Sequence, residues 1–141
     1  MPPELASRWR IEGRWADRTL AEEMRCAAAQ HADSPVVYHG GAGQLVTTVG
    51  SLHARALWVA ASLARLGVRP GDAVGIQVPN WPEGTVAHAA GWLAGAVLVP
   101  IVPIYGPAEV SFTAAVAAAI TGANSSSENA DTPASSARFA H

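Results

Sequence analysis

Residues 66–80 combine a helix end, a turn and a buried strand in one short segment, LGVRPGDAVGIQVPN. Gly67 and Pro70 favour the end of a helix, because glycine readily adopts the left-handed conformation that closes a helix and proline cannot continue one. The Pro-Gly-Asp sequence that follows is typical of a turn. The residues from Ala73 to Val78 are nearly all apolar, which predicts a strand covered on both faces. The chain therefore returns from a helix directly into a buried strand.

A second unit of the same kind follows directly along the chain. We predict a helix from Trp81 to Ala94 that ends at Gly95, and then a strand from Ala96 to Val102. Because this strand is also continuously apolar, we expect the two strands to be parallel neighbours in one sheet. Such a connection is right-handed in nearly all proteins. The sequence therefore predicts a βαβ crossover and an α/β fold.

Local signals also predict the elements that precede this crossover. Thr19 and Glu22 have the spacing of a capping box, which predicts a helix over residues 20–30. Strands are predicted at Val36–Tyr38 and Gln44–Thr47, joined by a glycine-rich hairpin. Thr48 is the predicted N-cap of the next helix. That helix has an apolar stripe at spacings of three and four, which predicts packing against a sheet; the stripe comprises Leu52, Ala56, Val59, Leu63 and Leu66.

Taken in order, these motifs resemble the start of the adenylate-forming acyl-CoA synthetases, the AMP-forming acid-thiol ligases. The resemblance runs from Arg18 to Phe112 and rests on the segments RTLAEEM, LARLGVRPGD, VPNWPE and GAVLVPIVPIYGPAEV. It implies the first βαβ layers of the large N-terminal domain of that fold. It also implies a parent reaction in which a carboxylic acid, ATP and CoA give acyl-CoA, AMP and pyrophosphate. The segments PNWPE and PIVPIYGPAEV are most similar to those of fatty-acid or alicyclic-acid CoA ligases.

The sequence pattern changes after Phe112. From Thr121 onward the chain is rich in Ser, Ala and Asn and has few large apolar groups, too few to offset the entropy of ordering it. We therefore expect an N-terminal arm over residues 1–17, a truncated synthetase subdomain over 18–120 and a low-complexity, disordered tail over 121–141. A last helix is predicted to begin at Tyr105-Gly106-Pro107 and to run through Glu109 and Phe112, and the alanine-rich residues before the tail can extend it. On this interpretation the chain is an incomplete, N-terminal fragment of an acid-CoA ligase.

The catalytic groups that the resemblance implies are not matched in this sequence. Activating a carboxylic acid requires a phosphate cradle, a cation and a metal that bridges the nucleotide phosphates. The family supplies a Ser/Thr/Gly-rich loop that ends in lysine, a Thr-Glu pair, a ribose-binding aspartate and a second lysine. All nine basic residues of this chain are arginine. We therefore assign no catalytic, cofactor-binding or metal residue, and we expect the chain alone to be inactive and to hold none of the family's ATP, Mg²⁺ and CoA.

The remaining candidate sites favour structural roles. The run Gly40–Gly43 lies between two strands rather than at a helix start, so it predicts a hairpin turn and not a phosphate loop. The histidines show no metal-ligand spacing. We place His53 on the exposed side of its helix and His88 beside Trp92 in the crossover helix. Trp81 and Trp92 are interpreted as packing residues.

Charge and composition limit the classes of partner. The net charge is -2, and the arginines form no basic face for nucleic acid. Four arginines near the N-terminus alternate with acidic residues, which favours a solvated surface over a membrane contact. Cys26 is the only cysteine, so no internal disulfide can form, and the N-terminus lacks the apolar core of a signal peptide. These features favour the cytoplasm.

The segment from Val86 to Tyr105 is apolar enough to resemble a membrane span. A spanning helix would have to continue through Pro100 and Pro103, so we expect a buried helix and strand and no membrane span.

Two alternative functions stay open, a small protein-interaction module and a membrane-associated protein that uses the segment from Val86 to Tyr105. Because the rest of the sheet is missing, we also expect self-association through an uncovered sheet edge.

Overall fold

The structure is a computed structural model that describes residues 2–41, 43–125 and 138–140. Helices and strands alternate along most of the described chain. In chain order the elements are α1 (Pro3–Ile11), α2 (Leu20–Gln30), β1 (Pro35–Gly40), β2 (Gly43–Thr48), α3 (Val49–Arg65), β3 (Ala73–Ile76), α4 (Pro82–Leu93), β4 (Val97–Pro100), α5 (Pro107–Ser125) and β5 (Arg138–Ala140).

The strands form two separate sheets. β1 and β2 make an antiparallel hairpin in which Gly40 lies opposite Gly43, as the glycine-rich turn predicts. β3, β4 and β5 make a parallel sheet in the order β4-β3-β5, with Ala73 opposite Val97. The parallel pairing of β3 with β4 across α4 confirms the predicted crossover and the α/β fold.

The core lies between β3 and the two helices α3 and α4. All four residues of β3 are buried. Small side chains allow α3 and α4 to approach closely, since Ala56, Ala89 and Ala90 are almost completely buried in one apolar cluster with Leu52 and Val86. A second cluster joins the end of α3 to the sheet and contains Val68, Val74 and Ile76.

Glycines close the helices and the turn as predicted. Gly67 after α3 and Gly95 after α4 both have positive φ angles, of 88° and 73°. In the turn before β3, the buried carboxylate of Asp72 accepts a hydrogen bond of 3.0 Å from the amide of Arg69. The amide of Gly71 donates to the carbonyl of Gly95 over 2.9 Å, which ties the turn to the end of α4.

The predicted helix caps are also confirmed. The Thr19 hydroxyl accepts from the amide of Glu22 over 3.2 Å, and the Glu22 carboxylate accepts from the amide of Thr19 over 2.6 Å. These hydrogen bonds to the carboxylate lower the pKa of Glu22. Thr48 caps α3 in the same way, accepting from the amide of Ser51 over 3.2 Å.

Two expectations about α3 and β3 require correction. Val59 and Leu66 are exposed rather than part of the inner stripe of α3, since Val59 lies toward the edge of that stripe and Leu66 is the C-cap residue beyond the end of the helix. β3 ends at Ile76, two residues earlier than predicted.

β4 is shorter than predicted and is only partly covered. It extends over Val97–Pro100 rather than from Ala96 to Val102, and its residues are half-buried or exposed. β4 lies at one edge of the sheet, where α4 packs on it, whereas α5 contacts the central strand β3. A strand covered on both faces was therefore the wrong expectation for β4.

Both ends of the chain contain regular structure that the sequence interpretation did not assign. The expected N-terminal arm includes α1, which begins with Pro3 in its first turn. The expected disordered tail over 121–141 departs from the structure at two places: α5 continues to Ser125, and β5 pairs with β3. Alanine has the highest helix propensity, and the outer side of β3 offers unpaired backbone groups. The other tail residues lie outside the described residues.

The apolar segment from Val86 to Tyr105 is divided between the end of α4, β4 and the loop that follows. No helix in the described part of the chain has the length and apolar character that crossing a membrane requires. The edges of the parallel sheet within the described residues belong to β4 and β5, and self-association through an edge stays a prediction.

Replacing Gly84 by alanine should destabilise the protein, although alanine normally favours a helix over glycine. A Cβ at position 84 would lie 2.7 Å from the carbonyl oxygen of Pro79, a backbone atom that cannot turn away. We expect the free energy of unfolding to fall by about 1–3 kcal/mol in urea denaturation. The control is Gly41→Ala, since a Cβ there meets nothing within 4 Å. A gain in stability for Gly84→Ala would contradict the described approach of α4 to Pro79.

The capping box also predicts a pH dependence. Since the pKa of Glu22 is lowered in the folded protein, its contribution to stability is present above the ordinary glutamate pKa and is lost as the pH falls through the lowered value. A carboxyl-carbon NMR titration should place the pKa of Glu22 below the ordinary value, and Thr19→Ala should raise it. The matched control, Thr48→Ala, removes the cap of α3 and should leave the Glu22 pKa unchanged.

Candidate functional site

A cleft of about 440 Å³ lies beyond the carboxyl end of β3. Its walls come from α2, from β1, from the loop between β3 and α4, and from one face of α4. Ligands of open α/β sheets commonly bind at this end of the strands, where neighbouring connections leave the sheet in opposite directions. The residues that line it are Met24, Tyr38, Val78, Pro79, Asn80, Trp81, Gly84, Thr85, His88, Ala89 and Trp92.

The loop from Val78 to Trp81 is held in place by its own backbone. The amide of Trp81 donates a hydrogen bond of 2.8 Å to the carbonyl of Pro79, and Trp81 then serves as the N-cap residue of α4. Pro82 occupies the first turn of the helix, where its missing N-H costs nothing. Gly84 lets the helix lie against Pro79. The segment VPNWPE thereby forms a rigid rim for the cleft.

Two side-chain hydrogen bonds order the interior of the cleft. The Tyr38 hydroxyl donates to the Thr85 hydroxyl over 2.8 Å and so connects β1 to α4. The Nδ1 atom of His88 lies 2.8 Å from the carbonyl oxygen of Gly84. Because a carbonyl oxygen only accepts, Nδ1 carries the proton, and the neutral ring presents Nε2 as an acceptor. Trp92 meets the His88 ring edge-on, with centroids 6.2 Å apart.

Among the described residues, the cleft lining is mostly apolar and aromatic and contains no Asp, Glu, Lys or Arg. His88 is the one histidine among these lining residues. A phosphate group would find no fixed cation here, so the cleft does not meet the needs of a nucleotide triphosphate site. Within the described residues, no group of three or more His, Cys, Asp or Glu side chains is placed to hold a metal ion.

The other candidate residues take the following places. The Gly40–Gly43 run closes the β1-β2 hairpin, and Gly43 has a φ of 118°. His53 is half-buried rather than exposed, and its Nε2 is a buried atom with no hydrogen-bond partner in the described structure. The expectation of an exposed His53 was wrong: the start of its helix lies against Ala32, where a Cβ on Gly50 would be 3.1 Å from the Ala32 carbonyl oxygen.

The remaining histidines are separate from one another where they are described. His31 caps the C-terminal end of α2, and His39 is exposed on β1. His141 lies outside the described residues. The thiol of Cys26 is half-buried on α2 and lies 3.9 Å from the guanidinium of Arg18.

The N-terminal arginines form ion pairs with the acidic residues between and after them. Because all partners are substantially exposed, these pairs are solvated surface contacts of small energetic weight. The pairs are Arg8 with Glu12, Arg10 with Asp17, Arg14 with Glu12 and Arg18 with Glu23. This arrangement agrees with the predicted solvated face.

Sequence reasoning missed the cleft, although it placed His88 beside Trp92 correctly. The signal that could have found it is helical spacing: Thr85, His88, Ala89 and Trp92 are three, four and seven residues apart and share one face of α4. The contribution of Tyr38 could not be read in this way, because its bond to Thr85 joins residues 47 positions apart.

The comparisons with known proteins agree on one family. The family model described as "AMP-binding enzyme" matches residues 24–135. A salicyl-AMP ligase / salicyl-S-ArCP synthetase of Mycobacterium tuberculosis is 37% identical over 120 residues, covering 84% of this chain and 21% of the relative. A medium-chain fatty-acid-CoA ligase of Escherichia coli is 33% identical over 103 residues, covering 72% of this chain and 18% of the relative.

Solved structures show the same relationship in three dimensions. The apo structure of Mycobacterium smegmatis MbtA superposes with a TM-score of 0.74 and 36% identity, covering 83% of this chain and 22% of that one. The N-terminal subdomain of Klebsiella oxytoca NpsA shares the fold, with a TM-score of 0.64 at 20% identity. The chain spans about a fifth of the length of the curated relatives it matches. It belongs to the AMP-binding enzymes, the adenylate-forming ligases, and matches the N-terminal part of their fold.

Proposed function

We propose that this chain provides the first α/β layers of an ATP-dependent ligase that activates a carboxylic acid. In that reaction the carboxylate attacks the α-phosphorus of ATP, which forms an acyl-adenylate and releases pyrophosphate. A thiol, CoA in the acid-CoA ligases, then attacks the acyl carbon and releases AMP. The observation that carries the proposal is the family match across residues 24–135, supported by the MbtA-like arrangement of β3, α4 and β4.

We further propose that the acid is aromatic rather than a fatty acid. The salicyl-AMP ligase relative matches this chain at higher identity and over more of its length than the medium-chain fatty-acid-CoA ligase does, 37% over 84% against 33% over 72%. This proposal replaces the fatty-acid preference that the sequence motifs alone favoured.

The part played by this chain is structural rather than catalytic. The chain contains no lysine, so the family's two catalytic lysines have no counterpart in it. The cleft offers no fixed cation for phosphate, and ATP, Mg²⁺ and CoA would be held by other parts of the ligase. The single cysteine is compatible with a cytoplasmic enzyme.

Exposed apolar side chains support a role within a larger protein. Ile104 is 87% exposed, Trp58 76% and Phe112 71%. Large apolar side chains seldom remain exposed together on the surface of a complete soluble protein. Ile104 and Phe112 follow β4, and Trp58 lies on α3, so at least two separate parts of the surface are suited to being covered by the remainder of a ligase.

ATP-pyrophosphate exchange tests this assignment. The chain alone should give no salicylate-dependent or octanoate-dependent exchange above a buffer blank, because it lacks the lysines that neutralise the developing charge. A chimera of the M. tuberculosis salicyl-AMP ligase, in which this chain replaces the segment it matches, should recover salicylate-dependent exchange.

The control for the chimera is Val74→Asp, which places a charge in the buried central strand and should abolish exchange by unfolding the segment. Exchange by the chain alone that survives repurification would contradict a structural role. A folded chimera, as judged by circular dichroism, that gives no exchange would contradict the proposal that this chain supplies the first α/β layers of such a ligase.

A further inference from the structure

We propose that the cleft beside α4 binds a small, uncharged aromatic molecule that carries a hydrogen-bond donor, such as a phenol. This site goes beyond the proposed ligase function, since no cation is among its described lining residues and it uses none of the chemistry of acid activation. Three observations carry it: the aromatic walls, the fixed acceptor of His88 and the absence of charged lining residues.

The aromatic walls set the shape of the ligand. Tyr38, Trp81 and Trp92 come from three different positions in the chain and line one cleft of about 440 Å³. A volume of this size lies in the range of small-molecule pockets and accepts one or two fused rings. Aromatic rings attract one another in offset or edge-on arrangements beyond the effect of buried area alone. A flat aromatic ligand therefore gains more binding free energy in this cleft than an alkyl chain that buries an equal area.

The polar groups set the hydrogen bonding of the ligand. The Gly84 carbonyl fixes the proton of His88 on Nδ1, so the neutral ring can only accept at Nε2. The structure records no hydrogen bond to that Nε2 from the described residues. The Tyr38 hydroxyl is already committed as a donor to Thr85. A ligand that donates a hydrogen bond thus satisfies the acceptor that the cleft presents.

The lack of charged side chains among the described lining residues disfavours charged ligands. No Lys, Arg, Asp or Glu lines the cleft, so a carboxylate or an ammonium group would lose hydration without meeting an opposite fixed charge. The ligand is therefore neutral, which separates it from the aromatic acid of the proposed ligase reaction. The two proposals can consequently fail independently.

Isothermal titration calorimetry of the full chain with 2-naphthol tests the site without ATP. Wild type should bind 2-naphthol saturably with one site per chain. 2-Methoxynaphthalene has the same rings but no donor, and it should bind about tenfold more weakly. Salicylate, which is an anion at neutral pH, should show no saturable binding in the same range.

The variants identify the groups responsible. His88→Phe keeps a ring but removes the acceptor, and it should weaken 2-naphthol binding about tenfold while leaving 2-methoxynaphthalene unchanged. The matched control His31→Phe lies on the end of α2 outside the cleft and should change neither affinity. If His88→Phe fails to fold, Thr85→Phe fills the cleft from an exposed position on α4 and should abolish binding of both compounds.

Several results would overturn the site. They are non-saturable uptake of 2-naphthol by wild type, equal affinities for 2-naphthol and its methyl ether, and salicylate binding as tight as that of 2-naphthol. Undiminished 2-naphthol binding by folded His88→Phe or by Thr85→Phe would overturn it as well.

Discussion

The parallel pairing of β3 with β4 through α4 is the constraint on which the rest of the structure depends. Parallel neighbours need a crossover connection, and the helix in that connection must lie on the sheet. Gly84 permits this at the start of α4 by removing a Cβ that would meet the Pro79 carbonyl, and Gly91 permits it further along by leaving room for the Leu98 side chain. With α4 held this closely, α3 packs beside it through alanines, and the rim loop VPNWPE closes over the end of β3.

The same constraint decides what the cleft can do. Since α4 presents Thr85, His88 and Trp92 on the face that looks past the end of β3, the cleft receives an aromatic wall and one oriented imidazole. It receives no fixed positive charge. The chemistry of this segment is therefore recognition of a neutral group, and phosphate handling in the proposed ligase belongs to other parts of that protein. The exposed Trp58 and Phe112 agree with such a division, because they are suited to contacts with a larger enzyme.

Much of the fold could be predicted because its signals are local. Thr19, Thr48, Gly67 and Gly95 act within a few residues of the elements they begin or end, and each behaves as predicted. The failures concern relations between distant segments. The partial exposure of β4, the burial of His53 and the pairing of β5 with β3 depend on which element lies next to which, and local patterns do not carry that information. Helical spacing on α4 could have indicated one wall of the cleft, but the bond from Tyr38 to Thr85 that joins it to β1 connects distant segments and has no local signal.

Native-state hydrogen exchange gives the most direct test of the central claim. If the β3-α4-β4 crossover organises the structure, the amides of Val74 and Ile76 and those in the middle of α4 should exchange with the slowest and nearly equal rates, by a common global opening. The amides of the β1-β2 hairpin, whose side chains are largely exposed, should exchange faster. Amides of β3 that exchange as fast as those of the hairpin, or protection that is highest in α2, would contradict the account.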